Sequence, residues 1–190
     1  MNIIVKPYGS DLCYCRPDTT WERENRDFYS PECVNEVLWA PVVFARISKA
    51  GKCIGTKFAS RYYDAVGCGM LMYGHKDLAF GSCLDHTSIL PMPMYGPSIL
   101  ENEKVFQVGI AGTEACEPLV KHNEFIIPDN GRTILEEAIC KASQLTSLRI
   151  GDYVAVEMSH IAALADKSAG EISVTGTFCE NEIFGFKIIF

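Results

Sequence analysis

Residues 40–47 read Ala40-Pro41-Val42-Val43-Phe44-Ala45-Arg46-Ile47. The run is apolar and β-branched, and Pro41 stands near its start, where a missing backbone N–H is tolerated. It predicts a strand, closed by a turn at Lys49-Ala50-Gly51-Lys52. Beyond the turn, residues 56–63 predict a short helix, and residues 66–73 form a second apolar stretch. Gly67 and Gly69 inside that stretch mark a bulge or a close approach of another backbone. Upstream, residues 14–30, around Trp21-Glu22-Arg23-Glu24-Asn25-Arg26-Asp27, are polar and read as a surface loop or short helix.

Downstream, Pro91, Pro93 and Pro97 mark an irregular extended connection. Residues 105–110 alternate as a strand does, and Ala111-Gly112-Thr113 turns it. The best helix covers residues 133–145, entered by a turn at Asn130-Gly131, with Glu136 and Glu137 in its first turns. Its apolar positions Ile134, Ala138, Cys140 and Leu145 make an imperfect stripe. Residues 148–156 read as a turn feeding a strand, and residues 171–178 and 183–190 as a closing hairpin around Glu180-Asn181-Glu182. Many short strands with one or two helices predict an α+β, mostly β architecture, antiparallel-rich and mixed, rather than a parallel βαβ fold.

The 190 residues suit one domain over 1–190, with 48% hydrophobic and 22% charged residues, which argues against disorder. Net charge is −7, and the 17 Lys and Arg are scattered without a run of three, so no nucleic-acid surface is indicated. That balance leaves a small molecule or a protein as partner. No apolar run approaches the roughly 18 residues of a membrane span. The opening Met1-Asn2-Ile3-Ile4-Val5-Lys6 is too short an apolar stretch for a signal peptide. Nine cysteines, Cys116 among them, show no Cys-x-x-Cys pair, so no structural zinc is indicated; they read as small apolar residues of a reduced, cytoplasmic protein. No phosphate loop, dinucleotide fingerprint or nucleophile motif occurs, and Cys83 near His86 is too common a pairing in such a chain to count.

Four stretches in order carry a resemblance. They are Phe28-Tyr29-Ser30-Pro31 with residues 36–47 and the Gly51-Lys52 turn; Phe58-Ala59-Ser60-Arg61-Tyr62-Tyr63-Asp64-Ala65-Val66; Thr146-Ser147-Leu148-Arg149-Ile150-Gly151-Asp152; and the ending with Gly170-Glu171-Ile172 and Glu180-Asn181-Glu182. Together they resemble the fumarylacetoacetate hydrolase family, in particular its 2-hydroxyhepta-2,4-diene-1,7-dioate isomerase-like branch. Lys6-Pro7 falls where the family has a Lys-Pro near its substrate entrance. The resemblance implies a mixed β-sheet roll of the family's C-terminal domain type with few short helices, assembled as a homodimer. It places residue 1 inside the catalytic domain, without the family's Asn-Tyr and His start.

It also implies a small organic acid as partner, and a divalent metal, Mg²⁺, Mn²⁺ or Ca²⁺, held by carboxylates and polarising a 1,3-dicarbonyl or 2-oxo acid. The family's Glu-x-Glu ligand pair aligns with Ala40 and Val42, and its ligand Asp with Leu71. Alternate strand residues face one side, so three apolar groups stand where oxygen donors are needed. Where the family has Lys-x-x-Asp, Ser82 replaces the Lys and Asp85 matches the Asp; Val156-Glu157-Met158 replaces its Thr-Gly-Thr loop. Thr175-Gly176-Thr177 lies in the terminal hairpin and reads as coincidence.

The remaining candidates are Asp85 with His86 as an acid–base remnant, and Glu157 with His160, which have metal-binding spacing if their segment is helical. A turn and a surface or capping role are the ordinary alternatives. His75, Lys76 and Asp77 read as a solvated loop, and Met70, Met72, Met92 and Met94 as core or adaptable interface. The expectation is a catalytically inactive member that binds a ligand or partner, with no cofactor unless a metal site has been rebuilt. One alternative is a hydrolase, isomerase or decarboxylase of an acylpyruvate-type acid working through Asp85, His86, Glu157 and His160. The other is a partner subunit of an active relative.

Overall fold

The structure, a computed structural model, describes residues 1–112 and 121–190; Thr113 and Cys116 lie outside the described residues. In chain order the elements are β1 (Ile3–Lys6), β2 (Tyr14–Arg16), β3 (Trp21–Glu22), β4 (Phe28–Tyr29), β5 (Glu36–Ile47), β6 (Tyr63–Tyr73), α1 (Leu78–Gly81), β7 (Ser88–Ile89) and β8 (Lys104–Gly112). There follow β9 (Lys121–Ile127), α2 (Gly131–Leu145), β10 (Tyr153–Glu157), β11 (Ala162–Asp166), β12 (Glu171–Phe178) and β13 (Asn181–Ile189). Among the described residues the strands form two sheets. An eight-stranded sheet runs β2-β1-β10-β5-β6-β7-β3, with β11 also on β5, and a five-stranded sheet runs β4-β13-β12-β8-β9. Pairing is antiparallel except at β1–β10, β3–β7 and β4–β13, so the sheets are mixed and mostly antiparallel, as the pattern of short strands predicts.

β5 is the spine. It pairs with β6 over most of its length on one side, and on the other with β10 and then β11. Pro41 lies mid-strand rather than near the start. It is tolerated because it sits where the second partner changes from β10, whose Glu157 pairs with Val42, to β11, whose Ala162 pairs with Trp39. The Pro41 carbonyl on that side still accepts the Met158 N–H at 2.9 Å. The two β6 glycines are required by close approach. A Cβ on Gly69 would meet the Ile89 carbonyl oxygen at 2.1 Å, and one on Gly67 the Phe44 ring at 2.6 Å. The short helix expected over 56–63 is a 3-10 turn at Thr56–Arg61.

Helix α2 buries Leu135, Ala138, Ile139 and Ala142, a regular i, i+3, i+4, i+7 stripe. The stripe is offset from the one read in the sequence, and Leu145 is exposed. Gly131 belongs to the first helical turn rather than preceding it; a Cβ there would stand 2.6 Å from Ile127 Cγ2. Both faces of the larger sheet are buried. One face, with α2 and the smaller sheet, builds a core that includes Val43, Val154, Val156, Phe106 and Phe186. The opposite face carries a second core of Ile3, Val5, Ala40, Val42, Phe44, Leu71 and Ala155.

The second core is closed by the segment expected at the surface. β2 and β3 are the two ends of the larger sheet but are separated in sequence only by residues 17–20, so the sheet curls until they meet. Arg16, Thr20 and Glu22 are buried there, and Phe28 is buried in the first core. Thr20 Oγ1 lies 2.8 Å from Ser88 Oγ, and Trp21 Nε1 donates to the Leu90 carbonyl at 3.1 Å. These long-range partners satisfy polar groups that a local reading assigns to solvent.

Candidate functional site

The three residues that the resemblance sets at metal-ligand positions lie together in the structure. Ala40 and Leu71 are cross-strand partners, Val42 is two residues along the same face, and all three are completely buried in the second core. Their side chains are hydrocarbon, with Phe44, Leu38 and Val5 in the same core. Mg²⁺ and Ca²⁺ take six or more oxygen ligands, so these residues do not fit the ion. Among the described residues, no group of three or more His, Cys, Asp or Glu could hold a metal.

On the same face, at the end of β10, stands Glu157, paired in register with Val42. It is 3% exposed. Tyr73, the last residue of β6, donates its hydroxyl to Glu157 Oε1, and the Tyr8 backbone N–H donates to Oε2 at 3.1 Å. The Tyr14 and Tyr73 hydroxyls are 2.9 Å apart. A hydroxyl has one proton, so while Tyr73 donates to the carboxylate Tyr14 must donate to Tyr73. The chain Tyr14–Tyr73–Glu157 thus runs from β2 to β10 beside the face that carries Ala40, Val42 and Leu71.

Above the Tyr73 ring, at 4.9 Å, lies the Arg16 guanidinium. Its Nη2 donates to the Met72 carbonyl at 2.9 Å and to Thr87 Oγ1 at 2.6 Å, while Nε and Nη1 have no partner among the described residues. Burial holds the Glu157 carboxyl above the ordinary carboxylate range; the Tyr73 and Tyr8 hydrogen bonds and the charges of Arg16 and His160 pull the other way. Burial pushes the Tyr14 hydroxyl up to about 12 and Tyr73 further still.

The segment carrying Glu157 and His160 is not helical. Glu157 ends a strand, and His160 lies beyond it in an exposed bend, its ring edge-on to Tyr8 at 4.8 Å. The i, i+3 metal-binding geometry is absent because no helix turn joins the two residues: the strand ends at Glu157 and the chain leaves it before His160. Asp85 and His86 lie elsewhere, in a cleft shared with Asp27, Tyr29 and Cys83 and not with Glu157 or His160. Asp85 is exposed; His86 Nδ1 lies 3.0 Å from Glu22 Oε2, and Glu22 Oε1 accepts the Glu24 N–H at 2.6 Å. Ser82, at the position of the family's Lys, donates to the Leu78 carbonyl at 2.5 Å within α1. His75 Nδ1 and Asp77 Oδ1 accept backbone N–H groups at 3.0 Å and cap the same helix. Met70 and Met72 are buried core, Met92 is exposed, and Met94 packs against the second core.

The reverse face of the same strands carries an open cleft of about 370 Å³. Val43, Val156 and Lys6 form its floor, Ile127, Pro128 and α2 residues Gly131 and Ile134 its wall, and Tyr8, Gly9, Ile126, Glu157 and Met158 its rim. Lys6 is paired in register with Val156, whose neighbour Glu157 points to the other side. Arg16, Glu22, Tyr14, Tyr73 and Tyr8 were not legible as site residues, since only contacts with distant strands single them out.

A curled mixed sheet built on a long central antiparallel pair, with a closed core inside the curl, defines a β-roll. Solved structures share it across this whole chain. Fumarylpyruvate hydrolase from Pseudomonas aeruginosa, in complex with Mn²⁺ and pyruvate, is similar at TM-score 0.73 and 13% identity over 100% of this chain and 89% of that one. Maleylpyruvate hydrolase from Sphingobium sp. SYK-6 is similar at 0.73 and 12%, covering 99% and 70%. A fumarylacetoacetate hydrolase family protein from Yersinia pestis CO92 is similar at 0.71 and 11%, covering 99% and 92%. The chain has the fold of the fumarylacetoacetate hydrolase family, in agreement with the resemblance read from its residues. No family sequence model and no curated protein sequence matches it.

Proposed function

We propose that this protein is a metal-independent binding member of the fumarylacetoacetate hydrolase fold, taking a small organic acid rather than carrying out metal-assisted chemistry on one. The observation that carries the reading is the complete burial of Ala40, Val42 and Leu71 in a hydrocarbon core. Lewis-acid catalysis needs oxygen donors around an open coordination position. Hydrocarbon side chains at the three aligned positions offer neither. Glu157 supports the same reading, since a single carboxylate, already accepting from Tyr73 and the Tyr8 N–H, supplies too few oxygens for such an ion. The protein is proposed to act as a homodimer, which light scattering at micromolar concentration tests; a monomer there removes that part of the proposal.

The main test is thermal unfolding of chelator-stripped protein with and without millimolar Mg²⁺, Mn²⁺ or Ca²⁺, paired with assays on acylpyruvates. A resident metal at a hundred times its Kd stabilises by about 2.7 kcal/mol, a Tm rise of roughly 5–11 °C for a domain of this size. The expected result is no such rise and no turnover. Metal-dependent turnover of an acylpyruvate overturns the reading.

A further inference from the structure

We infer that the cleft on the reverse face of the β1–β10–β5 sheet binds an amphipathic monocarboxylate, with Lys6 holding the carboxylate and the apolar floor and wall holding the hydrocarbon. The inference rests on the binding reading above and names its ligand class. The cleft lies on the other side of the strands from Ala40 and Val42: its floor is Val43 and Val156, which alternate with Val42 and Glu157 and belong to the opposite core. It is therefore separate from the face whose apolar groups replace the metal ligands. A volume of about 370 Å³ lies within the range of small-molecule sites.

Its chemistry is one cation among hydrocarbon. Ile127, Ile134 and Met158 join Val43 and Val156 around the single basic group, Lys6. The Lys6 ammonium makes no hydrogen bond or ion pair among the described residues. Asp11, whose carboxylate feels the Lys6 charge, is held by Lys141. Glu157, whose side chain points to the other face, is engaged by Tyr73 and Tyr8. One half-buried lysine with an apolar surround suits a single negative charge on a hydrophobic body. A phosphate ester or dicarboxylate brings a second charge for which the cleft has no partner.

The probe is octanoate, with octanol and octylamine as its uncharged and cationic counterparts. Affinity is followed by titration calorimetry and thermal unfolding, all in excess chelator so that no metal contributes. Octanoate is expected to bind and raise Tm, with octanol on the order of tenfold weaker and octylamine weaker again. Lys6→Met, which keeps the length of the stem, is expected to lose the difference between octanoate and octanol; Lys6→Arg is expected to keep it. Ile126→Glu, at an exposed rim position, should weaken octanoate without disturbing the fold, with circular dichroism as the check. Equal binding of octanoate and octanol, insensitivity to Lys6→Met, or no binding of octanoate overturns the inference. Failure of the metal-independent reading shows differently, as metal-dependent turnover with the chelator omitted.

Discussion

The two faces of the β5–β6–β10 sheet use the same strands in opposite ways. On one, Ala40, Val42 and Leu71 stand among Phe44, Val5 and Tyr73, and no side chain of the three has any solvent contact. On the other, Val43 and Val156 are also buried, but α2 and the end of β9 stand off far enough to leave a cleft with Lys6 beside it. Residues one apart along a strand thus belong to a closed core and to an open site. Alternation gives every strand a second face, so hydrocarbon at positions 40, 42 and 71 leaves the cleft on the other side of the same strands open.

The comparison predicts a large asymmetry in tolerance to charge. Val42→Glu restores one ligand-type carboxylate but places it in hydrocarbon without partners, so a loss of about 3–5 kcal/mol is expected by urea unfolding. Ile126→Glu, at the exposed rim of the cleft, should change stability by no more than about 0.5 kcal/mol. If Val42→Glu were equally mild, the face that carries Ala40, Val42 and Leu71 would have to be open or wet. Next in size, Leu71→Ala is expected to cost about 2–5 kcal/mol by the same measurement, through lost burial and the cavity left behind. A cost below about 1 kcal/mol would mean that this core is loosely packed.

Tyr73→Phe should cost less, about 1–3 kcal/mol, because it leaves the Tyr14 hydroxyl and Glu157 Oε1 short of a partner while keeping the ring under Arg16. Denaturant midpoints of Tyr73→Phe and Tyr14→Phe compare the two links of the chain. The Tyr73 change should be the larger, since it removes a bond to a buried carboxylate, and the reverse order would break the assigned direction of donation.

The smallest effect is a pH dependence. The folded-state carboxyl of Glu157 lies above its unfolded value of 4.5, because burial favours the protonated form. A raised carboxyl contributes stability that is fully present below the unfolded value and lost as pH rises through the folded one. The Tm of the native protein relative to Glu157→Gln should therefore fall as pH rises from below about 4.5 through the raised folded value. A difference that grew with pH would show that Arg16 and the Tyr73 and Tyr8 hydrogen bonds outweigh desolvation.

Much of the roll was legible because strand signals are local. The 40–47 and 66–73 runs, the glycines at 67 and 69 and the closing hairpin all follow from alternation, turn chemistry and steric need. The stretch 14–30 was not. Its polarity reads as surface, yet Arg16 closes the curl against Met72 and Thr87, and Glu22 is buried against His86. The spacing of Glu157 and His160 misled for a related reason: three residues apart means one face only in a helix, and the segment is the end of a strand.

From the sequence alone came the period of each strand and the chemistry of each side chain: that positions 40, 42 and 71 are hydrocarbon, and that 40 and 42 share a face. Those are properties of a residue and its immediate neighbours. Only the tertiary structure decided which face is closed, that Glu157 is bonded to Tyr73 and lifted by burial, and that Lys6 stands beside an open cleft. Desolvation and cavity space are set by atoms brought together from distant strands, and no local pattern records them.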